Sequence, residues 1–180
     1  MLMSQTETTF VNTVVAGNLD LSPTGSSAED IYLSPGGSPP IVHTSGFNFI
    51  GNNESVESAF PVGAGAGQPN AFGDFVGDDL APLDALLGAL TDRGGPTWTR
   101  EPLSGSPLVD QGSCAGMARD QRGYFRLETG LRVVDDPAVA NFAEGCDIGA
   151  VELGATDAEG LLLRGDFESG DFAAWSSAAP

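Results

Sequence analysis

Thr91-Asp-Arg-Gly-Gly-Pro-Thr-Trp-Thr99, Gly105-Ser-Pro-Leu-Val-Asp-Gln-Gly112, Arg119-Asp-Gln-Arg-Gly123 and Cys146-Asp-Ile-Gly-Ala-Val-Glu152 are the four phrases on which a reading of this chain turns. Each combines a turn residue, a small residue and a charge, and two of them add an adjacent apolar pair. Between them no segment carries an active-site signature. Glycine punctuates the chain at these places because it accepts backbone angles that other residues resist, and proline because its ring fixes one angle and removes a donor. The phrases read as turns between short strands, and the stretch Thr91–Glu152 reads as the closing part of a parallel β-solenoid.

Composition points the same way. The chain has 180 residues, 41% of them hydrophobic, with 25 glycines and 12 prolines. That is enough apolar material for one domain with a core. No long stretch repeats apolar residues at spacings of three and four, so an all-β chain is expected. The net charge is −18, from 25 acidic and 7 basic residues, and every basic residue is Arg. Such a surface repels nucleic-acid phosphates and anionic membranes, so neither is expected as a partner. No segment is long and apolar enough to span a bilayer. The opening Met1-Leu-Met-Ser-Gln-Thr-Glu-Thr-Thr-Phe10 lacks the basic region and apolar run of a signal peptide. If the protein is exported, its signal is expected outside this chain, as the C-terminal piece of something longer or a gene read from an internal Met.

Further strands are expected upstream. Residues 9–18, Thr-Phe-Val-Asn-Thr-Val-Val-Ala-Gly-Asn, are dense in β-branched residues and end in a turn. Their alternation puts Phe10, Asn12, Val14 and Ala16 on one face and Val11, Thr13 and Val15 on the other. Asp30–Leu33 reads as a short strand. Ile41–Asn52 reads as two strands bent at Ser45-Gly46. Its ending, Asn48-Phe-Ile-Gly-Asn52, echoes Val14-Val-Ala-Gly-Asn18, and loose repeats of this kind mark stacked architectures. Leu83, Leu86, Leu87 and Leu90 fit either a short helical face or the inside of a rung.

Cys114 and Cys146 are the two cysteines. An even pair in a turn-rich chain suggests a structural disulfide and an oxidising compartment, contributing about 3–4 kcal/mol. The alternative is a pair of buried free thiols. A shared metal is disfavoured because the one histidine, His43, is remote and there is no C-x-x-C pair.

Six phrases in order resemble the choice-of-anchor Q domain of bacterial surface proteins, a C-terminal module of right-handed parallel β-helix proteins. They are Gly46-Phe-Asn-Phe-Ile-Gly51, Ala81-Pro-Leu-Asp-Ala-Leu-Leu-Gly88, Asp92-Arg-Gly-Gly-Pro-Thr97, Gly105-Ser-Pro-Leu-Val-Asp110, Asp120-Gln-Arg-Gly123 and Cys146-Asp-Ile-Gly-Ala-Val-Glu152. The resemblance covers about residues 10–152. It departs from the pattern at Arg93, where the family has Asn, at Leu108-Val109, where it often has Ala-Ile, and in an insertion at Thr129–Glu144. The tail Gly165-Asp-Phe-Glu-Ser-Gly-Asp-Phe-Ala-Ala-Trp175 is similar to a short C-terminal motif of many exported bacterial proteins. The resemblance implies an all-β right-handed parallel β-helix, a β-solenoid with its C-terminal rungs and a cap. Its rungs with loop insertions would span residues 1–90, its cap 91–153, and a linker and tail 154–180. It also implies an address, the bacterial cell surface or the extracellular medium.

The expected function is a non-enzymatic structural or adhesive module contacting an extracellular polysaccharide or cell-surface component. The alternative is the end of a polysaccharide-degrading β-helix enzyme, a lyase or hydrolase, whose catalytic rungs precede residue 1. No catalytic residue is assigned. Gly112-Ser-Cys-Ala-Gly116 looks like a nucleophile elbow but lacks the strand–turn–helix setting. Trp98, Arg119, Arg122 and Tyr124 are the expected glycan contacts, through ring stacking and guanidinium forks. Against that, Trp98 and Tyr124 read more readily as buried, and Arg122 with Asp120 as a structural tie. No cofactor is expected. Calcium is the one candidate, at Asp166, Glu168 and Asp171, because carboxylates beside glycines suit an oxygen-ligated cation.

Overall fold

A computed structural model describes residues 7–19, 30–33, 40–114, 116–125, 127–128, 132–134 and 136–155. No helix occurs among these residues, and the regular structure is a set of short strands. They are β1 (Glu7–Phe10), β2 (Val14–Val15), β3 (Ile41–Thr44), β4 (Phe49–Ile50), β5 (Phe75–Val76), β6 (Leu127–Glu128) and β7 (Arg132–Val133). β1 pairs with β3 in parallel, β2, β4 and β5 form a three-stranded parallel sheet in that order, and β6 pairs with β7 antiparallel.

The expected right-handed parallel β-helix is therefore corrected. Two small parallel sheets form, and among the described residues neither closes nor continues as a stacked coil. The physical reason lies in residues 80–125. There the chain doubles back on itself, making isolated antiparallel bridges at Leu87 with Pro102, Thr91 with Thr99 and Arg119 with Phe125. Gly94 and Gly95, at φ of 87° and 78°, turn one of these reversals. A parallel ladder needs every pass of the chain to run the same way, and these reversals end it.

Smaller expectations are corrected too. The strand read at residues 9–18 is broken. Asn12 sits at φ 45°, separating β1 from β2 and resetting the alternation, so Phe10 packs with Val15 rather than with Val14. Asp30–Leu33 forms no strand; instead the Asp30 carboxylate accepts the Asn18 and Asn52 amides at 2.8 and 2.7 Å. The bend at Ser45-Gly46 does fall between β3 and β4, with Gly46 at φ 96°. Leu86, at φ 48°, rules out a helix over the Leu83–Leu90 segment. Leu83 and Leu87 pack on the core while Leu86 and Leu90 stay exposed.

The echo between residues 14–18 and 48–52 is real but out of step by one. Val14 faces Phe49 and Val15 faces Ile50, so Gly51 lies against Ala16 and not Gly17. On the three-stranded sheet, alternate residues pack on opposite sides. Phe49 and Phe75 join Ala85, Leu108 and Ile148 in one cluster, with Val14 and Leu87 against it. Ile50 and Val76 join Val56 and Phe60 in a second. A sheet buried on both faces explains why β2, β4 and β5 read as apolar pairs rather than as alternating residues. The first cluster ties the sheet to residues 83–148, and the cleft described next opens above it.

Candidate ligand cleft

Three features of the chain converge on one open cleft of about 680 Å³. From the N-terminal sheet come Val11–Val14. From the hairpin-like reversal at 87–102 come Leu87, Leu90, Trp98, Thr99 and Arg100. From the last part come Leu108, Met117, Arg119, Gln121 and Ile148. The volume falls within the range of small-molecule sites, roughly 300–1,000 Å³. Its lining is mainly apolar, with a few polar groups.

Trp98 is 64% exposed. It lies beside Thr99, whose backbone bonds to Thr91 in both directions at 3.0 and 3.1 Å. Thr99 itself is buried, and Trp98 and Arg100 on either side of it are exposed, as the period of two along an extended chain requires. The burial expected for Trp98 is thus corrected. Arg100 donates to the Gly88 carbonyl at 2.9 Å. Arg119 donates to the Gly123 carbonyl at 2.6 Å, and its guanidinium lies 3.5 Å from the centre of the Phe125 ring. Each cation is held in place by a neutral partner. Among the described residues no carboxylate forms an ion pair with either.

Arg122 and Tyr124 serve a different purpose. Arg122 is only 7% exposed. Its guanidinium bonds the Asp120 carboxylate at 2.7 and 2.8 Å and the Glu152 carbonyl at 2.6 Å, and it lies 4.6 Å from the Tyr124 ring centre. Asp120 also accepts the backbone amides of Arg122, Tyr124 and Glu152. Further buried carboxylates extend this pattern. Glu152 accepts the Asp147 amide, and Asp147 accepts the amides of Asp110 and Leu153. Asn12 reaches across to the Asp147 carbonyl and the Ser113 amide, both at 3.1 Å. Buried carboxylates persist here because backbone N–H groups and one arginine satisfy them. The phrases Asp120-Gln-Arg-Gly123 and Cys146-Asp-Ile-Gly-Ala-Val-Glu152 are thus clasps that join separate passes of the chain.

Cys114 and Cys146 are joined as a disulfide, with Cα atoms 5.2 Å apart. The Gly112 amide donates to the Cys146 carbonyl beside it, at 2.7 Å. Cys114 is consequently no nucleophile, and His43 is exposed on β3 away from the cleft. Asp74, Asp78 and Asp84 are committed to hydrogen bonds within the chain. Asp74 holds Thr44 and Asn48, and the other two accept amides two or three residues ahead. Asp166, Glu168 and Asp171, the expected calcium ligands, lie outside the described residues, among which no group of three or more metal-ligating side chains gathers.

Of the four expected contact residues, the structure brings Trp98 and Arg119 together at the cleft and assigns Arg122 and Tyr124 to the clasp. Sequence reasoning missed Arg100 and Gln121. The alternation in Trp98-Thr-Arg100 carried the signal for Arg100. Gln121 carried none, since it is placed by the Ala150 carbonyl and by Thr97. Compared with known proteins, the chain matches no family model, no curated protein and no solved structure.

Proposed function

We propose that the chain is a non-enzymatic binding module of an extracellular or cell-surface protein, contacting glycans at this cleft. The observation that carries the reading is Trp98. A large indole left 64% exposed over an apolar cleft is a platform for a sugar ring, whose C–H face stacks on aromatic surface. The disulfide supports an oxidising setting. Binding rather than catalysis is favoured by the state of Asp120. Among the described residues it is the one carboxylate lining the cleft, and it is committed to Arg122 and three backbone amides, which leaves it poorly placed to move a proton.

The test is a fluorescence titration of the Trp175→Phe chain, in which Trp98 is the remaining indole, against an oligosaccharide panel containing neutral and acidic members. Saturable change with at least one member is the expected outcome, together with loss of that member's binding heat when Trp98→Ala is titrated by calorimetry at unchanged melting temperature. A flat response across the whole panel refutes the reading.

A further inference from the structure

We infer that the cleft selects a saccharide bearing a carboxylate, a uronic-acid residue in a short oligosaccharide or at a chain end. The ring would lie on Trp98, and the carboxylate would be met by Arg100 and Arg119. This rests on the cleft being a glycan site and goes beyond it by naming the chemistry.

The argument begins with an imbalance. Acidic residues outnumber basic ones 25 to 7, so an arginine in this chain has many carboxylates to choose from. Arg93 pairs with Glu101 at 2.6 Å, and Arg122 with Asp120 at 2.7 Å and Glu101 at 3.7 Å. Arg100 and Arg119, which both line the cleft, pair with none of the described carboxylates. They are not loose side chains either. One N–H of each is spent on a backbone carbonyl, and Arg119 is stacked on Phe125. A guanidinium carries five donors in a fixed plane. Anchoring through one of them orients the rest and removes part of the entropy cost of gripping an anion.

A second observation is independent of charge. Thr99, 3% exposed and part of the same lining, has a hydroxyl with no protein partner. Buried polar atoms without partners are uncommon. Along the extended Trp98-Thr99-Arg100 segment this hydroxyl points to the side opposite the indole and the Arg100 guanidinium, so the choice of a sugar acid over a simple fatty acid or inorganic anion rests on the exposed indole platform. The carboxylate of Asp120, although it borders the cleft, is neutralised by Arg122 and does not oppose the ligand's charge.

The whole-chain charge of −18 sets the size of the ligand. A long polyanion would be repelled by it, but that field is screened beyond about 8 Å at physiological salt. One carboxylate on a short oligosaccharide feels mainly the two nearby cations.

The experiment compares a trisaccharide carrying one terminal galacturonate on otherwise neutral sugars with its methyl ester, which keeps the rings and loses the charge, by calorimetry on the full chain. The acid is expected to bind about 10-fold more tightly than the ester. Arg100→Gln and Arg119→Gln, on separate segments, should each weaken the acid about 10-fold and weaken the ester less, both measured well below each variant's own melting temperature. Equal or tighter binding of the ester overturns carboxylate selection and leaves the glycan reading standing. Binding of neither form, while a neutral oligosaccharide of the panel binds, likewise overturns it. No binding by any saccharide overturns both.

Discussion

Arg122 carries its charge into a position 7% exposed, and four groups share the cost of keeping it there: the Asp120 carboxylate, the Glu152 carbonyl, the Tyr124 ring and, at 3.7 Å, Glu101. Removing one partner of a buried ion pair costs more than the pair is worth, because the other charge stays behind. Arg122→Met should therefore destabilise the fold by about 3 kcal/mol in a denaturant titration. The lower end of the usual range applies because Asp120 keeps its three backbone donors. A loss under 1 kcal/mol would show that those donors suffice alone. The same few residues show what the sequence did and did not reveal. Asp120-Gln-Arg-Gly123 announces a clasp, since an Arg two places after an Asp, followed by Gly, makes a compact charged turn. That Arg119, one place before, faces the cleft while Arg122 is buried follows only from the bridge between Arg119 and Phe125, a pairing that no local pattern encodes.

Between elements, contact is closest where glycine lets backbones touch. A methyl group on Gly77 would meet the Gly51 carbonyl oxygen and the Leu83 amide nitrogen, which bond to each other at 2.9 Å. Gly77→Ala would wedge that bond apart just past β5, at a cost of about 3 kcal/mol. Gly65→Ala is the matched control. Its added methyl meets only the Gln68 side chain, at 3.6 Å, and unfolding of that variant should be close to that of the parent. The loop closed by Cys114 and Cys146 brings the clasp segments together across 32 positions. Replacing both cysteines with serine should remove about 3–4 kcal/mol and lower the melting temperature by roughly 10 °C, as should full reduction of the parent. An unchanged transition would mean that the clasp holds without the bridge. At this scale the apolar pairs at 14–15 and 49–50 could be read as strands and their glycine-rich neighbours as turns, whereas Phe75-Val76, two residues between Asp74 and Gly77, is too short to show a pattern. Parallel pairing was legible through the echo of 14–18 in 48–52. Its extent was not, because the same Gly and Pro signals mark a turn between parallel passes and a reversal between antiparallel ones.

For the molecule as a whole, charge and ligand oppose each other at long range and agree at contact. If the ligand is a short acidic oligosaccharide, its association rate constant should rise as salt increases from 10 to 150 mM, since screening removes the repulsion of a −18 chain first. A fall over that range in stopped-flow traces would mean that the local cations dominate the approach. The acidity itself was plain in the sequence, but its uneven distribution was not, because only the fold places Arg100 and Arg119 at one opening while Arg93 and Arg122 are paired elsewhere. The hydrogen bond from Asn12 to the Asp147 carbonyl joins residues 135 positions apart. A ribosome adds about 5–20 residues per second, so the first strands wait on the order of ten seconds for this partner to be made. Until then the Val14 side chain of β2, against which Gly149 finally packs, lacks that part of its cover. Synthesis rate and chaperone access thus bear on the yield of this protein as directly as the strength of any contact in its finished form.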